Sequence, residues 1–516
     1  MPDLRTLLAK GYFPEALPPP FITHVFAKVV TDNLATLPPT FTQPTRHGHV
    51  APHSMARVDI LRRALGIPNP VFQFNLSSDL VTNWPQLAAH FGQSAISVSA
   101  PVDDVSGIRA VQWSRTFADI PALKAALRST SRWILTTDIA KFYPSIYTHS
   151  IPWALHGKAF AKSQHSVQYL GNSLDRWVRE GQDAQTVGIP VGPDTSLVIE
   201  EVILTAIDKA LSAALQQAAR PPRALRQVDD YEFGCKTYAD AENTLAVLQE
   251  ILNDYELIIN FEKTSIQELP LPIDDSWVSE LRQYVIRRTA DTQHTDLIAY
   301  FSRAFELARQ NARDSVLKYA IRRLRNEPVL HQRNWALLEN FLLQCASVEA
   351  GTIQPVLEML IDHNSGRFPV SHSRIAEVLN DTISAACPLG YTNEAAWSIW
   401  GLIHWDLPLE TRSMDVLSRS TDNIIALLAL DAQSRGLAPG GIDVSAWRAF
   451  MTGDDLFGKQ WLLSYEANFK NWLPSHGNAA DHVTLDSDFG FLKRHGVYFY
   501  DVNRFNSAVV PRVYTI

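Results

Sequence analysis

The sequence has little cysteine, no long apolar run and no surplus of positive charge, and each shortage removes a class of protein. Only three of its 516 residues are cysteine, Cys235, Cys345 and Cys387, scattered and odd in number. That excludes a disulfide framework and a cysteine-rich zinc site, and it predicts a reducing, cytoplasmic setting. No apolar stretch reaches the ~20 residues that cross a bilayer, so no membrane partner is expected. The N-terminus carries Asp3 and Arg5 early, without a sustained apolar core or a small-residue cleavage site, and nothing in it directs export. Asp and Glu number 54 against 46 Lys and Arg, a net charge of −8. Coating of nucleic acid by bulk attraction is therefore not expected, although a local basic channel remains compatible with that balance. His149, His156 and His404 are isolated, without a metal-ligand spacing, and are expected to be structural.

What is present is an ordinary globular composition, 46% hydrophobic and 19% charged, in a chain too long for one core. Three regions are expected: 1–115, 116–270 and 271–516. The first is interrupted by proline, stiffest at Pro18, Pro19 and Pro20, and a basic helix is expected around Arg62 and Arg63. From 133 to 266 strands alternate with helices. Residues 133–135 form an apolar strand running into Asp138. Residues 195–215 have helical spacing, with Ile199, Val202, Ile203 and Ile207 on one side. The alternation around Asp229-Asp230 predicts a hairpin with both aspartates near its turn. An amphipathic helix with Leu245, Leu248, Ile251, Leu252 and Tyr255 follows, then a strand at 257–259. This is the order of a split β-α-β unit.

Beyond a proline-containing linker at 268–275, helix-length apolar segments dominate, at 297–324, 335–348, 355–361, 395–405 and 424–430. Stacked helix pairs in a solenoid-like arrangement are expected there, with the tryptophans of 395–405 in its core. The fold class is thus α+β followed by an all-α part.

A strand-end aspartate facing a hairpin Asp-Asp suits phosphoryl transfer. Crowded carboxylates need cations to stay ionised, and Mg²⁺ or Mn²⁺ takes hard oxygen ligands. Two such ions can activate an attacking hydroxyl and stabilise a departing pyrophosphate. Asp138, Asp229 and Asp230 are the candidates.

The surrounding residues carry a resemblance. Residues 137–147, Thr-Asp-Ile-Ala-Lys-Phe-Tyr-Pro-Ser-Ile-Tyr, closely resemble motif A of reverse transcriptases. Residues 188–196, Gly-Ile-Pro-Val-Gly-Pro-Asp-Thr-Ser, look like motif B. Arg226-Gln227-Val228-Asp229-Asp230 is similar to motif C, and Asn260-Phe261-Glu262-Lys263-Thr264 to motif D. Two positions depart from the pattern. Val191 stands where these enzymes commonly have a glutamine that helps arrange template and nucleotide, and Gln227 stands in the aromatic position before the aspartates. Both departures put ordinary template reading in question.

The Gly-x-Pro-Val-Gly-Pro form resembles a narrower family, the bacterial abortive-infection (Abi) reverse transcriptases of the AbiK type, which defend against phage. So do Gly11–Pro14 and Leu17–Phe21 near the start, Trp461–Glu466, and Gly496–Asp501 near the end. The resemblance implies a fingers-palm core, a C-terminal helical-repeat (HEAT-like) domain in place of a thumb, and a homo-oligomer. It implies DNA synthesis from dNTPs without a template, primed from a protein hydroxyl, so that the single-stranded product is attached to the protein. Tyr12, Tyr498 and Tyr500 are the primer candidates. An RNA-templated reverse transcriptase and a nucleotide- or nucleic-acid-sensing scaffold with little polymerase activity are the alternatives.

By the same resemblance, Asp138, Asp229 and Asp230 hold the metal, with backbone oxygen near Ile139 completing the shell. Tyr143 occupies the place of the bulky ring that blocks a ribose 2′-hydroxyl, and Phe142 beside it is the packed ring. Lys263 would neutralise or protonate the departing pyrophosphate. Pro190, Val191 and Gly192 would lie along the nucleotide, with Gly192 permitting close backbone approach. Arg62, Arg63 and Arg109 would hold the triphosphate. A basic strip from Arg303 to Arg325, including Lys318, could track the product, with Tyr300, Phe301 and Tyr319 stacking on bases.

Overall fold

The alternating segments around the three aspartates form a four-stranded antiparallel sheet. The computed structural model describes residues 2–57, 61–104, 109–216, 222–325, 330–365, 368–478 and 480–504. Its strands are β1 (Ala51–Ala56), β2 (Arg62–Ile67), β3 (Pro101–Asp103), β4 (Val111–Trp113), β5 (Trp133–Asp138), β6 (Arg223–Gln227), β7 (Asp230–Cys235) and β8 (Ser265–Glu268). The central sheet has the order β6-β7-β5-β8, while β1-β2 and β3-β4 are separate hairpins. Two helices, Asp194–Leu215 and Tyr238–Asp254, pack together, and the second also covers β5 and β7. The split β-α-β expectation therefore holds.

Register follows from which residues must be dry. Leu135 lies opposite Phe233, and Asp138 opposite Asp230. A slip of one residue would turn Leu135 and Phe233 to the wrong face, so burial of these rings also sets the alignment of the acidic pair. The helix Tyr238–Asp254 opens with a capping box, in which Thr237 accepts from the Asp240 N–H and the Asp240 side chain accepts from the Thr237 N–H.

Three expected elements come out differently. The strand at 257–259 shrinks to a single bridge, Ile139 with Ile259. The chain after β5 turns away into the short helix Phe142–Ser145, which ends the ladder, and β8 takes the edge of the sheet instead. Arg62 and Arg63 lie on β2, not on a helix, because Gly66 packs closely against Val50 and Pro190 and the segment pairs with β1. The segment 297–324 is two helices, Ala290–Gln310 and Val316–Arg325, separated at Asn311 where the backbone leaves helical geometry.

Beyond residue 275 the elements among the described residues are helices. Trp335–Val348, Ile353–Ser365, His372–Ala386, Thr392–His404, Thr411–Leu417 and Asn423–Ser434 pack on their neighbours and next-but-one neighbours, as stacked pairs do. Trp397 and Trp400 are fully buried, as the helical spacing implies. Among the described residues no helix is long and apolar enough to cross a membrane.

Segments near the two ends of the described residues are clasped together. Ile22 N–H donates to the Phe499 carbonyl at 2.9 Å, and Phe21 bridges to Tyr500. Tyr12, Phe13, Phe26, Trp461 and Tyr465 surround the Phe499 ring. The buried Glu466 carboxylate accepts from the Phe499 N–H at 2.5 Å, and Tyr465 donates to the Val497 carbonyl at 2.6 Å. Trp461 donates to the Ile67 carbonyl at 3.0 Å, which ties this clasp to the end of β2.

Candidate active site

Two turns bring the aspartates together. Asp138 is the last residue of β5 and is buried, Asp229 is half-buried in the β6–β7 turn, and Asp230 opens β7 with an exposed side chain. Ile139 N–H donates to the Asp229 carbonyl at 3.3 Å, and Asn260 N–H donates to the Asp138 carbonyl at 2.6 Å. The motif D loop is thereby bonded to the acidic strand end, and its Lys263 ammonium contacts Asp138 and lies 3.9 Å from Asp230. Burial, with Asp138 and Asp230 beside it, pushes the Asp229 carboxyl up to about 6. Carboxylates crowded this way call for a cation. Arg57 and Lys124 also lie within electrostatic reach of Asp230.

The β6–β7 turn is strained. Val228 has φ +56°, a left-handed conformation that costs a β-branched residue about 1–3 kcal/mol. Its N–H donates to Ser99 Oγ at 2.7 Å, and its carbonyl accepts from Arg226 Nη1 at 3.1 Å. Arg226 is wholly buried. Its guanidinium meets Glu201 at 2.9 and 3.0 Å and Asp208 at 2.8 Å, and Tyr231 and Ser94 complete the shell of Asp208. A buried ion network anchored on the helix Asp194–Leu215 thus holds the turn that presents the two aspartates. The sequence reading missed Ser99, Glu201 and Asp208. The available signal was four acids, Asp194, Glu200, Glu201 and Asp208, on a helix whose other residues are mostly apolar, which demands buried cations.

Phe142 is buried, as expected, and Tyr143 is half-buried within electrostatic reach of Glu200. Burial pushes the Glu200 carboxyl well above the usual carboxylate range; the nearby Tyr143 hydroxyl pulls it down, while Glu201 and Asp229 add to the rise. Asp229 and the exposed Arg63 both lie within electrostatic reach of Tyr143.

Several expected nucleotide contacts are occupied by the protein itself. Arg62 forms two bonds to Glu394, at 2.5 and 2.7 Å, and lies over the Tyr391 ring, so its charge fastens β2 to the helical region. His53 joins this seam through Asp422 at 2.9 Å and Asn393 at 3.2 Å. Arg109 is held by the buried Asp194 and pairs with Glu15 at 3.1 Å. Gly192, at φ +126°, faces Pro14, which a Cβ would meet at 2.6 Å; its freedom serves the N-terminal segment. The Val191 carbonyl accepts from Gly66 N–H at 3.0 Å, and Pro190 packs on Gly66, so both fasten the motif B loop to β2. Ser196 lies inside its helix, whose N-cap is Pro193.

The C-terminal strip also departs from expectation. Tyr300 is buried and donates to the Ala320 carbonyl, Phe301 stacks on Phe341, and Tyr319 packs edge-on against Trp277, so these rings are core contacts. Arg303 is paired with Glu280 and Glu306, and Arg325 with Glu358 and Asp362. Lys318 is pushed down to about 8 by burial and by the nearby Arg322. Of the primer candidates, Tyr12 donates to the Pro68 carbonyl and Tyr500 to Asp431, both fully buried, while Tyr498 is half-buried under Lys470. His149 bonds to Asp175, and His156 accepts from Gly171 N–H, both structural contacts as expected.

The donor chemistry at the aspartates suits a hard divalent cation. In the arrangement described, however, Asp138 is paired with Lys263, and among the described residues no three His, Cys, Asp or Glu side chains are gathered into a metal-holding cluster.

No family model matches the chain, and no curated protein matches it. Solved structures similar to it include telomerase from Candida albicans in complex with the TWJ fragment of telomeric RNA, at 11% identity and TM-score 0.29, covering 64% of this chain and 62% of that one. Apo telomerase from Candida tropicalis gives 11% identity and TM-score 0.33, with 79% and 73% covered. The Candida tropicalis telomerase with the TWJ fragment gives 11% identity and TM-score 0.32, with 81% and 70% covered. At this level the likenesses are partial and assign the chain to no family.

Proposed function

We propose that the chain is a metal-dependent nucleotidyltransferase that joins deoxynucleotides, a DNA polymerase of the reverse-transcriptase type acting in antiphage abortive infection. The observation that carries the chemistry is the pairing of Asp138 with Asp230 across β5 and β7, with Asp229 beside them and Lys263 against Asp138. Asp138, Asp229 and Asp230, with the Ile139 backbone oxygen, would hold Mg²⁺ or Mn²⁺. The ion supplies charge neutralisation and an activated attacking hydroxyl.

The chain's own residues do the rest. Tyr143 presents a ring that a ribose 2′-hydroxyl would meet, so deoxynucleotides are favoured by exclusion. Lys263, against Asp138 and 3.9 Å from Asp230, would deliver charge or a proton to the leaving oxygen of pyrophosphate. Val191 in motif B and Gln227 before the aspartates favour synthesis without a template over the RNA-templated alternative. Priming from a protein hydroxyl, a homo-oligomer, a HEAT-like helical region and a cytoplasmic site of action belong to the same reading. The burial of Tyr12 and Tyr500 directs the search for a primer to other hydroxyls.

The test is incubation of the purified protein with Mg²⁺ and each dNTP, without primer or template, followed by a denaturing gel. A covalent protein-DNA ladder that disappears in Asp229→Asn is expected. Extension only with an added RNA template would overturn template independence, and no incorporation under any condition would overturn the polymerase reading.

A further inference from the structure

We propose that Ser99 is a positioning residue for the Asp229-Asp230 turn, holding Val228 in the left-handed conformation that presents both carboxylates. This assignment rests on the polymerase reading above and adds to it a residue that lies outside all four motif segments.

A ladder beside β6 stops one step short. Residues 96–98 run along β6 as a short parallel partner, with Ser97 bridged to Arg226. The Arg226 N–H donates to the Ile96 carbonyl at 2.8 Å, and the Val98 N–H donates to the Arg226 carbonyl at 2.9 Å. Continued in register, the next bond would run from the Val228 N–H to the Val98 carbonyl. That carbonyl already accepts from the Arg115 N–H at 3.1 Å. The Val228 N–H donates instead to Ser99 Oγ at 2.7 Å, and Ser99 is 1% exposed. A side-chain oxygen stands in for a backbone acceptor where the acidic turn begins.

What that oxygen holds is a backbone that valine rarely adopts. Val228 has φ +56°, a region open to glycine and costly for a β-branched residue. Such a conformation persists where the surroundings over-determine it. Val228 is gripped at both its polar groups, the N–H by Ser99 and the carbonyl by Arg226 at 3.1 Å. Arg226 also answers the buried Glu201 and Asp208, so replacing it disturbs a whole ion network. Ser99 carries no charge, and its replacement tests the grip by itself. Asp229 follows directly, with its carbonyl bonded to the Ile139 N–H. A turn relaxing toward ordinary extended backbone would carry both aspartates away from Asp138. Ser99 also stands at the foot of the β3–β4 hairpin, whose Val111 N–H donates to Asp194 of motif B at 3.3 Å. The hydroxyl is thus one link between the acidic turn and the motif B segment.

The test is a double-mutant cycle in the full-length protein. It measures kcat and KM for one dNTP with Mg²⁺ in the parent, Ser99→Ala, Val228→Gly and the double variant, and follows amide hydrogen exchange at residues 228–230. Ser99→Ala is expected to lower kcat about a hundredfold while KM stays within about threefold of the parent. In the Val228→Gly background the left-handed conformation needs no grip, and the same substitution is expected to lower kcat by less than about threefold. Exchange at 228–230 should speed up in Ser99→Ala while the rest of β5 and β7 stays protected, which separates a loosened turn from a failure to fold. An equal loss of kcat in both backgrounds, no loss in either, or a loss carried by KM alone overturns the assignment and leaves the polymerase reading intact. Loss of protection throughout the sheet in both backgrounds makes Ser99 a packing residue and overturns it as well. Absence of incorporation in the parent protein overturns the polymerase reading, and this assignment with it.

Discussion

The acidic hairpin and the clasp of chain ends both use buried carboxylates and aromatic rings, but they balance them differently. In the clasp, Phe499 sits among five other rings, and Glu466 and Tyr465 bond the backbone of the last segment. In the hairpin, Val228 is strained, Asp229 is pushed up to about 6, and Glu200 has an oxygen without a partner. The clasp leaves Glu466 Oε2 unpartnered as well, but the charge acting on Glu466 there is the opposite one of Lys470. A region that handles a charged reactant keeps crowded like charges, and it relies on a rigid frame, here Arg226 with Glu201 and Asp208, to bear them.

Breaking the hairpin chemistry should have the largest effect. Asp229→Asn and Asp230→Asn are each expected to lower nucleotide incorporation about 10³-fold in a single-turnover assay, with the denaturation midpoint little changed or raised. Near-parent activity in either would remove the carboxylate pair from the reaction.

Removing the frame should act on stability. Arg226→Ala leaves Glu201 and Asp208 buried without their cation and is expected to cost about 3–5 kcal/mol by chemical denaturation, with activity lost as the turn relaxes. A loss of activity at unchanged stability would show that Arg226 acts on the reactant and not as a support.

In the clasp, burial raises the Glu466 carboxyl from 4.5 to about 7. The folded state then binds the proton more tightly than the unfolded chain. This stabilisation is complete below pH 4.5 and is lost as pH rises through 7, by at most about 1.4 kcal/mol per pH unit. Glu466→Gln should flatten that slope in thermal unfolding measured from pH 4.5 to 8. An unchanged slope would place the titration elsewhere.

The smallest effect separates packing from priming at Tyr12. Tyr12→Phe removes one buried hydrogen bond to the Pro68 carbonyl and is expected to cost about 1–3 kcal/mol. Covalent labelling of the protein by dNTPs should persist in it; loss of labelling at full stability would make Tyr12 the primer.

Much of the central sheet was legible because its period is local. The strand ending at Asp138, the hairpin at Asp229-Asp230, and the helices at 195–215 and after Thr237 follow from alternation and helical spacing alone. The clasp was visible only as motif-like segments at residues 11–21, 461–466 and 496–501, with nothing to say that they touch. The 257–259 strand was misread because β propensity carries no information on whether a partner strand continues alongside. Arg62 and Arg109 were read as nucleotide contacts because their partners, Glu394 and Asp194, lie far along the chain.

The amino-acid order by itself determined which residues carry charge and which elements form: three aspartates on a strand end and a hairpin, a bulky ring five residues on, and a helical second half. Tertiary structure decided which charges are already answered. Coulomb energies and desolvation depend on distance and burial, and neither can be read along a chain when the partners are hundreds of residues apart. It therefore assigned Arg62, Arg109 and Gly192 to holding the protein together, and it left Glu200 beside Tyr143 with an oxygen unpaired.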